Sequence, residues 1–187
     1  VIVPINPKKE KSEEFSSFVM KVKEKLNHLS IRTHIDDLDE SPGFKFNKWE
    51  LKGVPIRIEI GLKEFENMQV TVCRRDNSEK YQVQIDKIDE IPTTLQSIQD
   101  NLFNDAKTFM DNNTCTVSTF ADFTDTLSKN NQFIKAYWDG TDETELKIKE
   151  KTKATIRCII EDNEDSSNKC IFSGETAKHL VVFAKAY

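Results

Sequence analysis

Glycine and histidine are scarce in this sequence, with five and three residues among 187. No glycine-rich run offers a phosphate-binding loop, and no serine, histidine and aspartate are arranged as a nucleophilic triad. No apolar run approaches the ~20 residues of a membrane span, and no signal peptide is visible. These absences predict a cytoplasmic protein without a membrane partner, and a chain that carries no catalytic residues, cofactor or metal of its own.

The cysteines are also few, and none of them forms a Cys-x-x-Cys pair. They are Cys73, Cys115, Cys158 and Cys170. Disulfides are not expected in such a protein. Cys73 and Cys158 lie in strand-like runs and are predicted to be small core residues.

Positive charge is in deficit overall, because the net charge is -5. This excludes a globally basic nucleic-acid binder but not a local basic patch. Residues 41–80 hold eight basic and six acidic side chains, so this window carries +2 and the remainder -7. The window is therefore the predicted anion-facing side of the molecule.

The stretch SPGFKFNKWELKGVPIRIEIG lies in this window and organises the chain. Phe44–Leu51 is a predicted short helix that Gly53 ends. Val54–Ile60 alternates strictly and is a predicted strand with its isoleucines buried. Arg57 and Glu59 should then lie on the more solvent-exposed face of that strand.

Aromatic and cationic side chains alternate just before the strand. Phe46 and Trp49 stand among Lys45, Lys48 and Lys52. Flat rings among cations suit an unstacked nucleobase, since the ring stacks and the charges hold phosphates or base edges. The alternative is a solvated face with ordinary ion pairs and two core aromatics.

Hydrophobic periodicity predicts two domains, 1–112 and 113–187, with the break in the polar run Asp111–Thr114. The first is an α/β domain, a mixed five-stranded sheet flanked by helices. Its predicted strands are 1–5, 31–35, 54–60, 70–75 and 80–85, and its helices are 13–29, 44–51 and 92–111. The last helix carries a continuous apolar stripe that includes Leu102 and Phe109.

The second domain is predicted to be small and α+β. Its strands are expected at 133–138, 154–160, 170–172 and 180–184, and its helices at 120–127 and 142–151. The predicted core consists of Phe133, Ile134, Ile156, Ile159, Val181 and Phe183.

Four motifs carry a resemblance to a known family: VIVPI, RTHIDD, PGFKFNKWELKGVPIRIEIG and the terminal VVFAKAY. Through these motifs the whole chain resembles the C-terminal part of prolyl-tRNA synthetases of the eukaryote-like and archaea-like type. That part is an anticodon-binding domain followed by a C-terminal domain. The resemblance implies recognition of the proline tRNA anticodon within an ATP-dependent ligase. ATP and Mg²⁺ would belong to an absent catalytic domain, so the fragment alone should be inactive. Expected partners are proline tRNA, the catalytic domain and a second copy in a full-length homodimer.

A non-catalytic accessory or dimerisation module with the same fold remains the alternative, because fold alone does not decide function. The test is whether the site residues converge on one surface.

Those site residues follow from the resemblance. Proline codons begin CC, so the anticodon carries two guanines, which offer O6 and N7 acceptors and N1–H and N2–H donors. By resemblance, Glu50 and Arg57 read these guanines, Lys63 and Lys80 make further contacts, and Phe46 stacks. Lys45, Lys52, Glu59 and Asp36 are expected to support them. Leu62 occupies a position where the family usually has proline, and this difference affects the expected orientation of the Lys63 side chain.

Many members of this family bind a structural zinc ion through four cysteines in the C-terminal domain. Those positions correspond here to Asp139, Thr144, Cys170 and Ser173, so three of the four ligands are missing. A closed zinc site needs about four nitrogen or sulfur ligands, and we therefore expect no zinc. A different site built from Asp139, Cys170 and His179 is the alternative.

The chain ends in the apolar run VVFAKAY. By resemblance, the terminal Tyr187 and its carboxylate reach toward the active site of the catalytic domain.

Overall fold

A computed structural model describes residues 1–5, 12–130 and 132–186. The chain divides into two compact units, Val1–Asn104 and Asp105–Tyr187. This division falls a few residues before the expected break after residue 112, which stays a prediction. None of the helices in the described residues is long and apolar enough to cross a membrane.

The first unit is built on a four-stranded mixed sheet of order β1-β2-β3-β4. Strand β1 runs parallel to β2, and the other neighbours are antiparallel. The elements are β1 (Ile2–Pro4), α1 (Ser12–His28), α2 (Pro42–Leu51), β2 (Ile56–Ile60), α3 (Leu62–Glu66), β3 (Gln69–Arg74), β4 (Lys80–Gln84), a 3₁₀ helix (Ile85–Glu90) and α4 (Ile91–Asn112). The predicted α/β class is confirmed.

The expected fifth strand at 31–35 is wrong, because this segment makes only one parallel bridge, between Ile35 and Ile2. The Ile2 amide donates to His34 at 2.8 Å, and the Asp36 amide donates to Ile2 at 2.9 Å. The next bond would need an amide hydrogen on Pro4, which proline lacks. The ladder therefore stops there, and the carbonyl oxygen of Asp36 is left for another donor.

The two faces of this sheet differ in chemistry. Ile56, Ile58 and Ile60 are buried on one face, in the core that α1 also lines. The strand register places the alternate residues together on the other face: Arg57 and Glu59 of β2, Thr71 and Cys73 of β3, and Lys80 and Gln82 of β4. This polar face borders the candidate site.

The apolar stripe of α4 packs only in part. Ile91 and Ile98 are buried, but Leu102 and Phe109 are exposed. Helix α4 has 22 residues, while the longest strand of the sheet has six. A helix of that length spans about 33 Å and such a strand about 20 Å, so the sheet covers only the first turns.

The second unit contains another four-stranded sheet, of order β5-β6-β8-β7. Strand β5 runs parallel to β6, and β8 is antiparallel to both β6 and β7. Its elements are β5 (Thr114–Thr116), α5 (Phe120–Lys129), β6 (Phe133–Trp138), α6 (Asp142–Thr152), β7 (Ala154–Asp162) and β8 (His179–Lys185). Strand β5 was missed from the sequence because it has only three residues.

Several expectations for this unit are wrong. The strand expected at 170–172 is absent, because residues 171–173 form a turn. Phe133 is exposed because β6 turns Ile134, its neighbour, into the core. Register shifts flank Cys158 and Ile159 in β7, and both side chains are exposed instead of buried. The expected core residues Ile134, Val181 and Phe183 are fully buried.

Candidate nucleic-acid interface

Local sequence places α2 beside β2. The hydroxyl of Ser41 caps the helix by accepting from the Phe44 amide at 3.3 Å, and Pro42 occupies the first turn. The helix ends at Leu51, and Gly53 follows with φ of 75°, a left-handed conformation that glycine adopts at little cost. The chain therefore reverses within a few residues, and β2 starts next to the helix that precedes it.

A buried carboxylate, that of Asp36, anchors α2. Asp36 is 1% exposed, and its Oδ2 accepts from Trp49 Nε1 at 2.6 Å and Lys48 Nζ at 3.0 Å. Its carbonyl oxygen, free because of Pro4, accepts from the buried Lys45 Nζ at 3.0 Å. Burial alone would raise the pKa of Asp36, but the hydrogen bonds from Trp49 and Lys48 outweigh it and hold that pKa below its usual value. Three α2 side chains are thus fixed by one residue.

Arg57 connects α2 to the sheet. Its Nη1 donates to Glu50 Oε1 at 2.7 Å, its Nε to Glu59 Oε1 at 3.0 Å, and its Nη2 to Cys73 Sγ at 3.4 Å. Burial would lower the pKa of Arg57, but the bonds to Glu50 and Glu59 raise it, so the guanidinium stays charged. Cys73 is buried as predicted, yet it lies in the site because it faces Arg57 in the strand register.

The expectation that Arg57 and Glu59 lie on a solvent-exposed face of β2 is wrong, since they are only 7% and 8% exposed. Phe46 covers the guanidinium of Arg57, since its ring centroid lies 4.1 Å from Arg57 Cζ. A buried charge is costly unless it is paired, and Arg57 is paired with both Glu50 and Glu59. Arg57 is therefore a buried but well-partnered cation.

Lys80 completes the cluster from the neighbouring hairpin. Its Nζ donates to Glu59 at 2.9 and 3.1 Å and lies 5.4 Å from the Phe46 centroid. Phe46, Glu50, Arg57 and Lys80 are thereby brought together, with Glu59 between two of the cations. We call these five side chains the reading cluster.

Lys63, the fifth predicted site residue, is not part of the reading cluster. It is exposed on α3, and among the described residues its side chain has no hydrogen bond or ion pair. Its neighbour Glu64 fixes this short helix by accepting from the Gly61 amide at 3.0 Å and from Thr71 Oγ1 at 3.1 Å.

An open cavity of about 420 Å³ lies against the reading cluster. Its lining residues come from the end of α2, from β2 and from the β3–β4 hairpin. They are Trp49, Glu50, Val54, Arg57, Cys73, Arg74, Arg75, Ser78 and Lys80. Sequence reasoning missed Arg75 as a site residue, although the charge count of residues 41–80 included it.

In the second unit, three of the four residues at the expected zinc positions, Asp139, Thr144 and Ser173, form a hydrogen-bonded cluster with Thr141. Asp139 Oδ2 accepts from Thr144 Oγ1 at 2.8 Å and Ser173 Oγ at 2.6 Å, while Oδ1 accepts from the Thr141 amide and hydroxyl at 3.0 and 2.9 Å. Burial would raise the pKa of Asp139, but the hydrogen bonds from Ser173 and Thr144 outweigh burial and hold that pKa below its usual value. One carboxylate, one thiol and several hydroxyls do not fit a closed zinc site.

The alternative site of Asp139, Cys170 and His179 does not form either. His179 instead pairs with Asp162 at 2.8 Å. Within residues 1–5, 12–130 and 132–186, no three His, Cys, Asp or Glu side chains converge on a metal position. The expected C-terminal contact of Tyr187 lies outside the described residues.

Comparison with known proteins gives two family matches. Residues 1–95 match the model of an anticodon binding domain, and residues 120–187 match that of "Prolyl-tRNA synthetase, C-terminal". A proline–tRNA ligase of Flavobacterium johnsoniae is 44% identical over 189 residues, covering 100% of this chain and 38% of the relative. One from Prosthecochloris aestuarii is 44% identical over 172 residues, covering 87% of this chain and 35% of the relative.

A solved structure is similar as well. The crystal structure of prolyl-tRNA synthetase from Cryptosporidium parvum with L-proline and AMP gives a TM-score of 0.84 at 32% identity, covering 100% of this chain and 40% of that one. The chain therefore spans less than half the length of these relatives.

Proposed function

Because this chain belongs to the family of prolyl-tRNA synthetases, we propose that its first unit binds the anticodon loop of proline tRNA and recognises the two guanines there. The observation that carries this proposal is the reading cluster at the cavity wall, where a forked cation and a carboxylate lie side by side. These are the two kinds of partner that the edges of guanine require.

Glu50 is the side chain best placed to accept from guanine. Its side chain is 58% exposed, and one oxygen is held by Arg57 at 2.7 Å. The other oxygen has no partner among the described residues. A carboxylate oriented in this way can accept from N1–H and N2–H of a base that enters the cavity.

Arg57 contributes orientation and donors. Three of its five N–H groups are engaged, by Glu50, Glu59 and Cys73. The two that remain can donate to O6 and N7 of a guanine. Phe46 holds the guanidinium plane from one side. Since the cluster is already ordered before RNA arrives, little binding energy is lost in fixing it.

Lys80 and Lys63 have different roles in this proposal. The side chain of Lys80 is 48% exposed, and it keeps one ammonium hydrogen for RNA while it donates to both oxygens of Glu59. Lys63 is outside the cluster, so we propose that it contacts a phosphate rather than a base edge. The convergence of the other four residues supports RNA recognition over an accessory or dimerisation module.

The relatives are ligases of more than twice this length. We therefore propose that a longer protein, a homodimer, joins proline to its tRNA with ATP, and that this chain recognises the tRNA there. In that setting Tyr187 would contact the catalytic domain. We propose that prolyl-adenylate is formed by the catalytic domain of that longer protein and not by this chain alone.

The test compares binding of proline tRNA and of an anticodon-swapped tRNA at one salt concentration. We expect the chain to prefer proline tRNA. Arg57→Ala should lose about 1–3 kcal/mol of that preference. Arg32→Ala, which removes an exposed arginine, is the control. Equal binding of both tRNAs by the wild-type chain, or an unchanged preference in Arg57→Ala, would contradict the proposal.

A further inference from the structure

The charges around the cavity are unequally compensated. Four cationic side chains line it, and three of them are ion-paired. The pairs are Arg57 with Glu50 and Glu59, Lys80 with Glu59, and Arg74 with Asp76. A phosphate that approached these three would compete with carboxylates already in place.

Arg75 is the exception. It is exposed directly after β3, and its backbone amide donates to the Pro55 carbonyl at 3.0 Å, which fixes the chain at the cavity edge. In the part of the chain that the structure describes, its guanidinium has no hydrogen bond and no ion pair. The cavity therefore has one uncompensated positive charge, and that charge is on Arg75.

A second cation, Lys52, is near the same edge. It is exposed, and its Nζ lies 4.4 Å from the ring centroid of Trp49, which also lines the cavity. Lys52 precedes Pro55, the backbone partner of Arg75, by only three residues. Lys48, by contrast, is held by Asp36 at 3.0 Å. Lys52 has no carboxylate partner among the described residues.

We propose that Arg75, assisted by Lys52, is a phosphate-binding subsite for the RNA backbone of the nucleotides whose bases enter the cavity. The inference rests on the proposed function, since it needs an RNA strand at this surface. A planar guanidinium without a partner matches two phosphate oxygens at once. Phosphate contacts set affinity and register but carry no sequence information.

The position of Arg75 agrees with this division of roles. It follows Cys73, the partner of Arg57, by two residues, a distance of about 7 Å along an extended chain. A base held at the reading cluster and the phosphate of the same or the adjacent nucleotide can therefore be contacted together.

The test measures binding of the chain to proline tRNA and to an anticodon-swapped tRNA over a range of salt concentrations. For Arg75→Ala we expect weaker binding of both tRNAs by the same factor. The slope of log K against log salt should fall by about 0.7, the value for one phosphate contact on a single strand. Arg75→Lys should keep most of the slope because it keeps the charge, and Arg75→Ala with Lys52→Ala should lose about twice as much.

Lys87→Ala is the matched control, because Lys87 is an exposed cation beyond the opposite end of β4 from Lys80. It should leave both affinity and slope unchanged. Circular dichroism of each variant checks that the fold is retained.

Two results would overturn the inference. An unchanged salt slope in Arg75→Ala would show that no phosphate is bound there, and a changed preference between the two tRNAs would show that Arg75 reads a base. Neither of these two results would contradict the proposed function. That function fails instead if the wild-type chain does not prefer proline tRNA, or if Arg57→Ala keeps the wild-type preference for it.

Discussion

The substitution Glu50→Gln tests the chemistry of recognition most sharply, because it exchanges one acceptor oxygen for a donor at nearly constant shape. Guanine presents two adjacent donors, N1–H and N2–H, to the carboxylate. In the variant, the amide group of the new side chain would oppose one of these donors. The expected loss is about 1–3 kcal/mol, or roughly 5- to 150-fold in affinity for proline tRNA.

The fold should tolerate this change. The Glu50 side chain is 58% exposed, and Arg57 keeps Glu59 at 3.0 Å when Glu50 is altered. The amide oxygen of the glutamine can still accept from Arg57 Nη1, so the free energy of unfolding should fall by no more than about 1 kcal/mol. A binding defect is therefore separable from a folding defect by urea titration.

The variant is also predicted to have a weaker preference for guanine over adenine. An amide can accept from N6–H of adenine while it donates to N1, so a glutamine side chain complements the Watson–Crick edge of adenine. We expect Glu50→Gln to discriminate less against a tRNA in which one anticodon guanine is replaced by adenine. The assay is filter binding to the two tRNAs at fixed salt, with the exposed Glu90→Gln as control. Unchanged affinity and unchanged discrimination would refute the role of Glu50.

Three further predictions concern the supporting structure. Asp36→Asn should lower the free energy of unfolding by about 1–3 kcal/mol and weaken tRNA binding, because Lys48 and Trp49 lose a charged acceptor, whereas the exposed neighbour Asp37→Asn should do neither. The lowered pKa of Asp139 means that its stabilising contribution is present above about pH 4 and is lost as the pH falls, so urea unfolding of Asp139→Asn should change less than wild type between pH 7 and pH 3; equal changes would contradict this. Elemental analysis of the purified protein should find far less than one zinc per chain, and stoichiometric zinc would contradict the interpretation of the Asp139 cluster.

Local sequence signals were sufficient for the elements that carry the reading cluster. Helix α2 and strand β2 are short-range features that end where the pattern predicted, at Leu51 and Ile60, with the left-handed Gly53 between them. The helix starts two residues earlier than predicted, at Pro42, and the strand two residues later, at Ile56. Alternation also showed that Arg57 shares a face with Glu59. The convergence of Glu50 and Lys80 on that face came from the family resemblance, not from periodicity.

Features that depend on long-range partners could not be predicted in this way. Phe46 of α2 lies over the buried Arg57. The alternation of apolar and polar residues in β2 does not predict this contact. The loss of the fifth strand follows from Pro4, whose missing amide hydrogen matters only once Asp36 is opposite it. Whether a cation such as Arg75 is paired depends on side-chain geometry, since Asp76 pairs with Arg74 and not with its direct neighbour Arg75. A charge count located the window, but only the structure separated compensated from uncompensated charges.

The central claim is that the reading cluster contacts the edges of the two anticodon guanines. Kethoxal, which reacts with N1 and N2 of unpaired guanine, measures this directly on proline tRNA. We predict that saturating wild-type chain protects both guanines and that Glu50→Gln loses protection at one of them. If both guanines react equally with and without bound chain, the claim is contradicted.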